Sequence, residues 1–271
     1  MTLRMNVITD HISLYARVII LLLLIASVGI AQAEPLCPDI TIYVGSTNFL
    51  SREYKPTVVE EEPAPCISKE MLLGKINPKT DTNFVVIPRH LCKNKFLYCH
   101  RTTFDAYMAM REAALKDGIQ LVISSALRTF NDQKWLWNGK WKASKGKSET
   151  AKVKDIMCYL SMPGTSRHHW GTELDFNICQ TAYWNTEEGK SVYEWLCENA
   201  HKFGFYQPYN NDPTRTGYKE ERWHWSYRPL ADSYLEAYIN TISIEEITGF
   251  RGSHLAEKMK VIENYVLGIA E

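Results

Sequence analysis

The chain has 271 residues and balances 31 basic against 31 acidic side chains, so its formal net charge is zero. Of its residues, 45% are hydrophobic and 12% are aromatic, which is enough apolar material for a sizeable core. Because the chain has no basic excess, it lacks the electrostatic signature of a nucleic-acid-binding protein, and we expect no nucleic-acid partner.

The first 33 residues have the layout of a secretory signal peptide. An unbroken apolar run extends from Val18 to Ile25, and Ala31-Gln32-Ala33 places small residues at a cleavage site. The run is shorter than the roughly 20 residues needed to cross a bilayer. We therefore expect cleavage after Ala33, a secreted or periplasmic protein, and no membrane span once the signal is removed. An uncleaved membrane anchor is the alternative.

Residues 34–66 are predicted to form a lead-in without packed secondary structure, because prolines and the run Glu60-Glu61-Glu62 oppose it. The folded domain is expected over residues 67–250, followed by a C-terminal helix over 251–271. All seven cysteines follow the predicted cleavage site, so export permits disulfides and leaves at least one thiol over. Cys92 with Cys99 and Cys179 with Cys197 are candidate pairs, and the connectivity is left open.

Helices and strands are predicted to alternate irregularly along the domain. Apolar residues at helical spacing predict a helix from Thr103 to Lys116, with Phe104, Tyr107, Met108 and Leu115 on its apolar face and Gly118 as its stop. Ile119 to Ser125 is rich in β-formers and is predicted to be a strand. Thr129 and Asp132 have the spacing of a capping box at the start of the next helix.

The second half of the domain adds two strands with alternating side chains. Gly171 to Ile178 puts Glu173, Asp175 and Asn177 on one face. A helix is predicted from Ser191 to Phe203, and Arg222 to Arg228 alternates again with His224 opposite two tryptophans. There are too few βα repeats for a doubly wound sheet, so the fold class is predicted to be α+β.

Two short segments bring together the side chains that a catalytic zinc needs. The first extends from Ser166 to Asp175 and contains His168, and the second extends from Glu221 to Trp225 and contains His224. Two imidazoles and a carboxylate are the three protein ligands typical of a catalytic zinc with an open position for water. A further carboxylate can take the proton from that water. Glu221 and His224 are three residues apart, so Glu221 is expected at a bend where the strand begins.

These segments resemble the VanY-type D-alanyl-D-alanine carboxypeptidases, zinc peptidases that share the Hedgehog/DD-peptidase fold. The pattern Ser166-x-His168-x-x-Gly171-x-x-x-Asp175 followed by Glu221-x-Trp223-His224 is similar to theirs in order and spacing, as is Ser125-Ala126-Leu127-Arg128 with Gln133 upstream. The resemblance covers about residues 120–229. It implies a small antiparallel sheet that carries the zinc site, with helices packed around it.

The resemblance also implies a role for each matching residue. One zinc ion per chain would be bound by His168, Asp175 and His224, with Glu221 as the general base. Arg128 would contact the substrate carboxylate or the developing oxyanion, and Ser166 would hydrogen-bond the same carboxylate. Gln133 and Ser125 would belong to the substrate-binding residues.

The implied activity is removal of the terminal D-alanine from peptidoglycan stem peptides, which makes the stem peptide the expected partner. The sequence departs from the family where Glu173 replaces a small residue. On the strand reading, Glu173 shares a face with Asp175, so it either orients a zinc ligand or narrows the pocket. His169 is expected to lie behind the site or at the surface.

Three alternatives stay open at this point. A zinc endopeptidase would cut within peptidoglycan peptides and would need an open groove instead of a carboxylate anchor. A non-catalytic binding module on the same fold is disfavoured because the ligands and the base are all present. A serine or cysteine hydrolase is disfavoured because the sequence has no GxSxG motif and Cys158 lacks a partner context.

Overall fold

The computed structural model describes residues 67–93 and 96–270. The predicted signal peptide and the lead-in lie outside these residues. Within the part of the chain that is described, no helix is long and apolar enough to cross a membrane. Cys99, Cys158, Cys179 and Cys197 are free thiols, so neither candidate disulfide is formed.

Six α-helices and six strands make up the regular structure of the described residues. The helices are α1 Lys69–Leu72, α2 Arg101–Lys116, α3 Phe130–Ala143, α4 Glu149–Ile156, α5 Glu187–Asn199 and α6 Arg228–Thr241. The strands are β1 Phe84–Ile87, β2 Leu97–His100, β3 Ile123–Ser125, β4 Glu173–Phe176, β5 Phe205–Tyr206 and β6 His224–Tyr227. Short 3-10 turns connect several of them, among them Arg167–Trp170 and Ala200–Phe203.

All strand pairs in the two sheets are antiparallel, and the predicted α+β class is confirmed. β1 pairs with β2, and the second sheet has the strand order β3-β4-β6-β5. In the register of β4 and β6, Glu173 lies opposite Ser226 and Asp175 lies opposite His224. Because side chains alternate along a strand, these four polar residues share one face of the sheet. The small sheet therefore carries the polar side chains that the sequence singled out.

The opposite face of this sheet packs on a hydrophobic core. Leu174, Phe176 and Trp225 are buried there with Ile123 and Phe205. Residues of α2 and α5 complete the cluster, among them Tyr107, Met110, Trp195 and Leu196. A second cluster joins α3, α4, α6 and the C-terminal segment, with Trp137 and Trp170 fully buried or nearly so. The sheet is thus rigidly backed on the side away from its polar residues.

Local sequence explains where the central helices begin and end. Thr129 caps α3 through a capping box with Asp132, as predicted. The helix predicted from Ser191 begins earlier, at Glu187, because the Thr186 hydroxyl accepts the Gly189 N–H at 3.1 Å. Gly204 ends the following turn with a φ of 81°.

The predicted apolar face of α2 is partly wrong. Met108 and Leu115 are 37% and 40% exposed, whereas Met110 and Ala114 are fully buried beside Tyr107. The buried face of α2 therefore includes Met110 and Ala114, which the apolar spacing did not predict. Packing against the sheet sets which face of the helix is turned inward.

The strand predicted over 119–125 is shorter than expected. Only Ile123–Ser125 is strand. At Val122 the N–H donates to the Asn177 side chain at 2.9 Å, while the carbonyl accepts the Asn177 N–H at 2.7 Å. Asn177 itself has a φ of 53°, which ends β4.

The C-terminal helix predicted over 251–271 is not continuous. A 3-10 turn at Ser253–Leu255 and a π-helical turn at Ile262–Val266 replace it. Lys260 between them has a φ of 49°, which no α-helix accommodates. Leu255, Val261 and Val266 still reach the core, so the apolar stripe is buried by an irregular segment.

Gly171 links the turn that carries His168 to β4, and a side chain there would be costly. Its φ is 72°, and an added Cβ would lie 2.8 Å from the Phe84 ring and 2.9 Å from the His100 backbone nitrogen. We expect Gly171→Ala to lower the free energy of unfolding by about 2–5 kcal/mol, combining the left-handed backbone cost with overpacking.

Gly146→Ala is the matched control, because Gly146 has a φ of 76° and nothing within 4 Å of the added atom. This variant should lower the free energy of unfolding by only about 1–2 kcal/mol. Denaturant melts of both variants measure the difference, and equal losses would contradict the crowding at Gly171.

Candidate metal centre and active site

Three side chains that the sequence separates widely converge on the polar face of the sheet. His168 comes from the turn before β4, Asp175 from β4 and His224 from β6. All three are buried, and one ligand atom from each lies within 4.8 Å of the others. The antiparallel pairing of β4 and β6 produces this meeting because it sets Asp175 directly opposite His224.

The distances among the three ligand atoms suit a tetrahedral zinc site. Nε2 of His168 lies 3.1 Å from Nδ1 of His224, and Oδ1 of Asp175 lies 3.4 Å and 3.0 Å from these nitrogens. Zinc bonds of about 2.0–2.1 Å in tetrahedral geometry separate neighbouring ligand atoms by roughly 3.3–3.4 Å. The three atoms therefore form one face of a coordination tetrahedron, with little adjustment needed.

Hydrogen bonding prepares His168 as a neutral ligand. Its Nδ1 lies 2.7 Å from the Ala126 carbonyl oxygen, which can only accept, so Nδ1 carries the proton. Nε2 then turns a lone pair toward the centre. Burial, and after it the charge of Arg128, lowers the pKa of His168 to about 4, which keeps the ring neutral at physiological pH.

His224 stands between two carboxylates. Its Nδ1 lies 3.0 Å from Asp175, and its Nε2 lies 2.8 Å from Glu173. Burial opposes the charged ring, but the hydrogen bonds and charges of Asp175 and Glu173 raise the pKa of His224 to about 9. Positive charge is therefore stabilised at the point where the three ligand atoms meet. A proton can supply that charge, and a metal ion that binds there would displace the proton.

Glu221 lies at the bend that begins β6, as the sequence predicted. The His224 N–H donates to the Glu221 carbonyl at 3.1 Å, and the Glu221 N–H donates to the Tyr209 carbonyl at 2.9 Å. The side chain is 5% exposed. Burial is the main cause that raises the pKa of Glu221 to about 8, and nearby Asp175 adds to it. A carboxyl group with its pKa near neutrality is suited to both taking and giving a proton.

A small cavity joins the candidate base to the ligands. Its lining comprises Arg128, Tyr159, Ser161, Ser166, Arg167, His168, Tyr209, Tyr218, Glu221 and His224. Four lining residues have buried polar atoms without a hydrogen-bond partner among the described residues, namely Nε of Arg128, Oγ of Ser166, Nε and Nη1 of Arg167, and the hydroxyl of Tyr218. Orphaned donors of this kind are costly unless a ligand satisfies them.

Arg128 is held at its backbone and presents its side chain to two cavities. Its N–H donates to the His168 carbonyl at 3.1 Å, and its carbonyl accepts from Nδ1 of His169 at 2.6 Å. Besides the small cavity, Arg128 lines a larger one of about 650 Å³ that also contains Ser125, Lys79 and Trp135. The guanidinium is thus positioned where a substrate could extend from one cavity into the other.

The remaining candidates lie farther from the centre. Ser125 lines the larger cavity only, and Gln133 lines neither. Gln133 is fully buried and donates to the Ser161 carbonyl at 2.7 Å, so it supports a residue of the cavity wall. His169 is buried, not at the surface: its Nδ1 donates to Arg128, and its Nε2 accepts the Gly164 N–H at 3.0 Å.

Tyr209 and Arg167 are among the residues near the site that sequence reasoning missed. The Tyr209 ring packs on the His224 ring with centroids 4.7 Å apart. Arg167, between Ser166 and His168, is 1% exposed and forms an ion pair with Glu173 at 3.2 Å. The loop that carries Tyr209 has no periodic pattern to reveal it. The charge of Arg167, next to a predicted ligand and opposite in sign to Glu173, is the signal that was available.

A family model described as "VanY: D-alanyl-D-alanine carboxypeptidase" matches residues 97–230, which include all three candidate ligands and Glu221. Residues 97–230 are thus similar to the VanY family. The matched segment contains β2 to β6 and the helices between them, so the family match includes the sheet that carries the site.

Two curated proteins are similar to about half of this chain. A D-alanyl-D-alanine carboxypeptidase from Enterococcus faecalis is 33% identical over 141 residues, covering 48% of this chain and 51% of the relative. The putative carboxypeptidase YodJ from Bacillus subtilis is 31% identical over 137 residues, covering 48% and 46%. The chain therefore spans about half the length of these curated relatives.

Solved structures of related proteins are also similar. VanYB in complex with D-Alanine-D-Alanine is 27% identical, with 59% of this chain and 91% of that chain covered and a TM-score of 0.43. A mutant of the vancomycin resistance D,D-pentapeptidase VanY in complex with Zn(II) is 26% identical, with 60% and 93% covered and the same TM-score of 0.43.

Removing one ligand should remove the metal. We expect His168→Ala to lose bound zinc, because two remaining ligands cannot retain the ion at a three-ligand site. His201→Ala, at an exposed position in the turn Ala200–Phe203, should retain it. Metal analysis of purified protein, with circular dichroism to check folding, makes the comparison. Full zinc content in a folded His168→Ala variant would contradict the ligand assignment.

Proposed function

We propose that this protein is an exported zinc-dependent carboxypeptidase that removes the terminal D-alanine from peptidoglycan stem peptides. The observation that carries the proposal is the convergence of His168, Asp175 and His224 on one point, in a cavity that Glu221 also lines. The match of residues 97–230 to a family of D-alanyl-D-alanine carboxypeptidases supports the choice of substrate. One zinc ion per chain is the proposed cofactor.

The proposed chemistry divides between the metal and the side chains around it. Bound zinc would supply a Lewis acid for the scissile carbonyl and would lower the pKa of a water molecule. Glu221 takes the proton of the attacking water on its carboxylate and delivers it to the leaving amine of D-alanine. Its burial beside the ligands keeps this proton away from bulk solvent. The reaction is then hydrolysis of one peptide bond, with a free amino acid as product.

Recognition of a chain end needs an anchor for a carboxylate. Arg128 offers a guanidinium with an unpartnered, buried Nε, and Ser166 offers an unpartnered, buried hydroxyl in the same cavity. A guanidinium pairs with a carboxylate through two parallel hydrogen bonds, and a hydroxyl can add a third. These orphaned donors favour a substrate with a free C-terminus. In this scheme Gln133 supports the cavity wall and Ser125 contacts the part of the substrate in the larger cavity.

A zinc endopeptidase is the second candidate. The larger cavity of about 650 Å³ next to Arg128 has room for more of a peptide, which favours this reading. A non-catalytic binding module does not require a buried carboxyl group with a raised pKa beside three candidate metal ligands. It is therefore the least favoured of the three functions.

Product analysis on defined stems tests the proposal. Pentapeptide and tetrapeptide stems are incubated with the enzyme, with and without chelator, and the products are identified by mass spectrometry. A carboxypeptidase releases one alanine from one or both stems in a chelator-sensitive manner. Internal fragments would favour the endopeptidase, and unchanged stems with zinc-loaded protein would contradict both.

A further inference from the structure

Glu173 occupies the position where the family resemblance predicts a small residue, and it is completely buried. Its Oε2 accepts from Nε2 of His224 at 2.8 Å. Its Oε1 accepts from the Ser226 hydroxyl at 2.8 Å and the Thr172 hydroxyl at 3.0 Å. Both carboxylate oxygens therefore accept hydrogen bonds, and Oε2 accepts its bond from a candidate metal ligand.

Arg167 supplies the charge that balances Glu173. Its Nη2 lies 3.2 Å from Glu173, donates to Ser226 at 2.9 Å, and lies 3.2 Å from the Tyr206 hydroxyl. The guanidinium also stacks over the Trp170 ring at 4.8 Å. An unpaired buried charge is strongly destabilising, so each member of this pair depends on the other. The permanent positive charge of the arginine lies against the Glu173 carboxylate and compensates it.

The strand register places the Glu173 carboxylate, which is paired with Arg167, against Nε2 of His224. Glu173 and Asp175 alternate on the same face of β4, opposite Ser226 and His224 of β6. The imidazole stands between the two carboxylates, with Nδ1 toward Asp175 and Nε2 toward Glu173. A carboxylate that accepts the Nε2–H leaves the lone pair on Nδ1, the nitrogen that faces His168 and Asp175.

We propose that Glu173, held by Arg167, is a positioning residue that fixes Nδ1 of His224 as the metal-binding nitrogen and strengthens zinc binding. The proposal rests on the metal centre described under the proposed function. Carboxylates that orient a metal-binding histidine typically contribute 10–100-fold to metal affinity. We expect that factor here, because the bond from Glu173 restrains both the tautomer and the orientation of the ring.

A purely structural role for the buried ion pair is the competing explanation, and a double variant separates the two. Glu173→Ala alone leaves Arg167 as a buried, unpaired charge and is expected to destabilise the protein. Arg167→Leu combined with Glu173→Ala removes both charges and should recover most of the lost stability. If the pair only stabilises the fold, the stable double variant binds zinc as tightly as wild type. If Glu173 positions His224, zinc affinity stays about 10–100-fold weaker.

The first measurement is the zinc dissociation constant of wild type and of the double variant, by competition with a chromophoric chelator. Melting curves of the metal-free proteins report whether stability is recovered. A folded double variant with the wild-type dissociation constant would overturn the role of Glu173. Wild type that binds no zinc would overturn the metal centre itself, which distinguishes the two failures.

The second measurement uses Glu173→Gln, which keeps the size of the side chain in case the double variant does not fold. In zinc-loaded protein, the NMR resonance of the His224 Nε2 proton reports the bond to residue 173. We expect this resonance to shift in Glu173→Gln, while the Nδ1 proton of His168, which is bonded to Ala126, stays in place. A His224 resonance that does not move would overturn the proposal.

Discussion

Glu221→Gln is expected to retain zinc and to lose kcat by about 10²–10⁴-fold, the range for removing a positioned general base. The amide keeps the size of the side chain but cannot take a proton from water. Glu221 lines the cavity of the candidate ligands without being one of them, so metal binding should survive. The measurement is kcat on a stem peptide, together with zinc content per chain.

Glu220→Gln is the matched control for this experiment. Glu220 precedes Glu221 directly but forms an ion pair with Arg222 at 3.2 Å and does not line the cavity. It should therefore keep near-normal turnover. A zinc-loaded Glu221→Gln variant with normal kcat would exclude Glu221 as the base and would require another proton acceptor.

Arg128→Ala is expected to reduce kcat/KM for a free-acid peptide severely, because it removes the anchor of the terminal carboxylate. A C-terminally amidated peptide should already be a poor substrate for wild type and should be little worsened by the mutation. If Arg128 instead stabilised the oxyanion, the mutation would lower kcat/KM equally for both peptides, because the oxyanion forms in either case. Measuring kcat/KM for wild type and Arg128→Ala on both peptides gives a double-perturbation cycle that separates these roles.

Lys79→Ala controls for a general loss of positive charge, because Lys79 lines the larger cavity but not the smaller one. It should change kcat/KM little for either peptide. If wild type cleaves the amidated peptide as well as the free acid, the carboxylate anchor is contradicted, and the endopeptidase becomes the better reading.

The sequence predicts the candidate site better than it predicts the helices. His168, Asp175 and His224 are recognisable because their chemistry depends on residue type and spacing, and strand alternation places Asp175 and Glu173 on one face. The bend at Glu221 follows from the same period-two argument. Strand alternation and the bend are local features, whereas the meeting of His168 and Asp175 with His224 depends on the pairing of β4 with β6.

The errors arise where tertiary contacts decide the local conformation. Burial of Met110 and Ala114 in place of Met108 and Leu115 depends on how α2 meets the sheet. The C-terminal stripe has helical spacing, yet the positive φ of Lys260 breaks the helix. The link between Arg167 and Glu173 joins neighbours of two ligands, and only the folded turn before β4 brings their charges together.

Zinc titration of metal-free enzyme, with D-alanine release measured at each step, tests the zinc carboxypeptidase proposal most directly. Chelator-treated protein should be inactive, and activity should rise with added zinc to a plateau at one zinc ion per chain. His201→Ala should follow the wild-type curve, and His168→Ala should stay inactive across the titration. D-alanine release that persists without metal, or that is the same in wild type and His168→Ala, would contradict a catalytic zinc held by His168, Asp175 and His224.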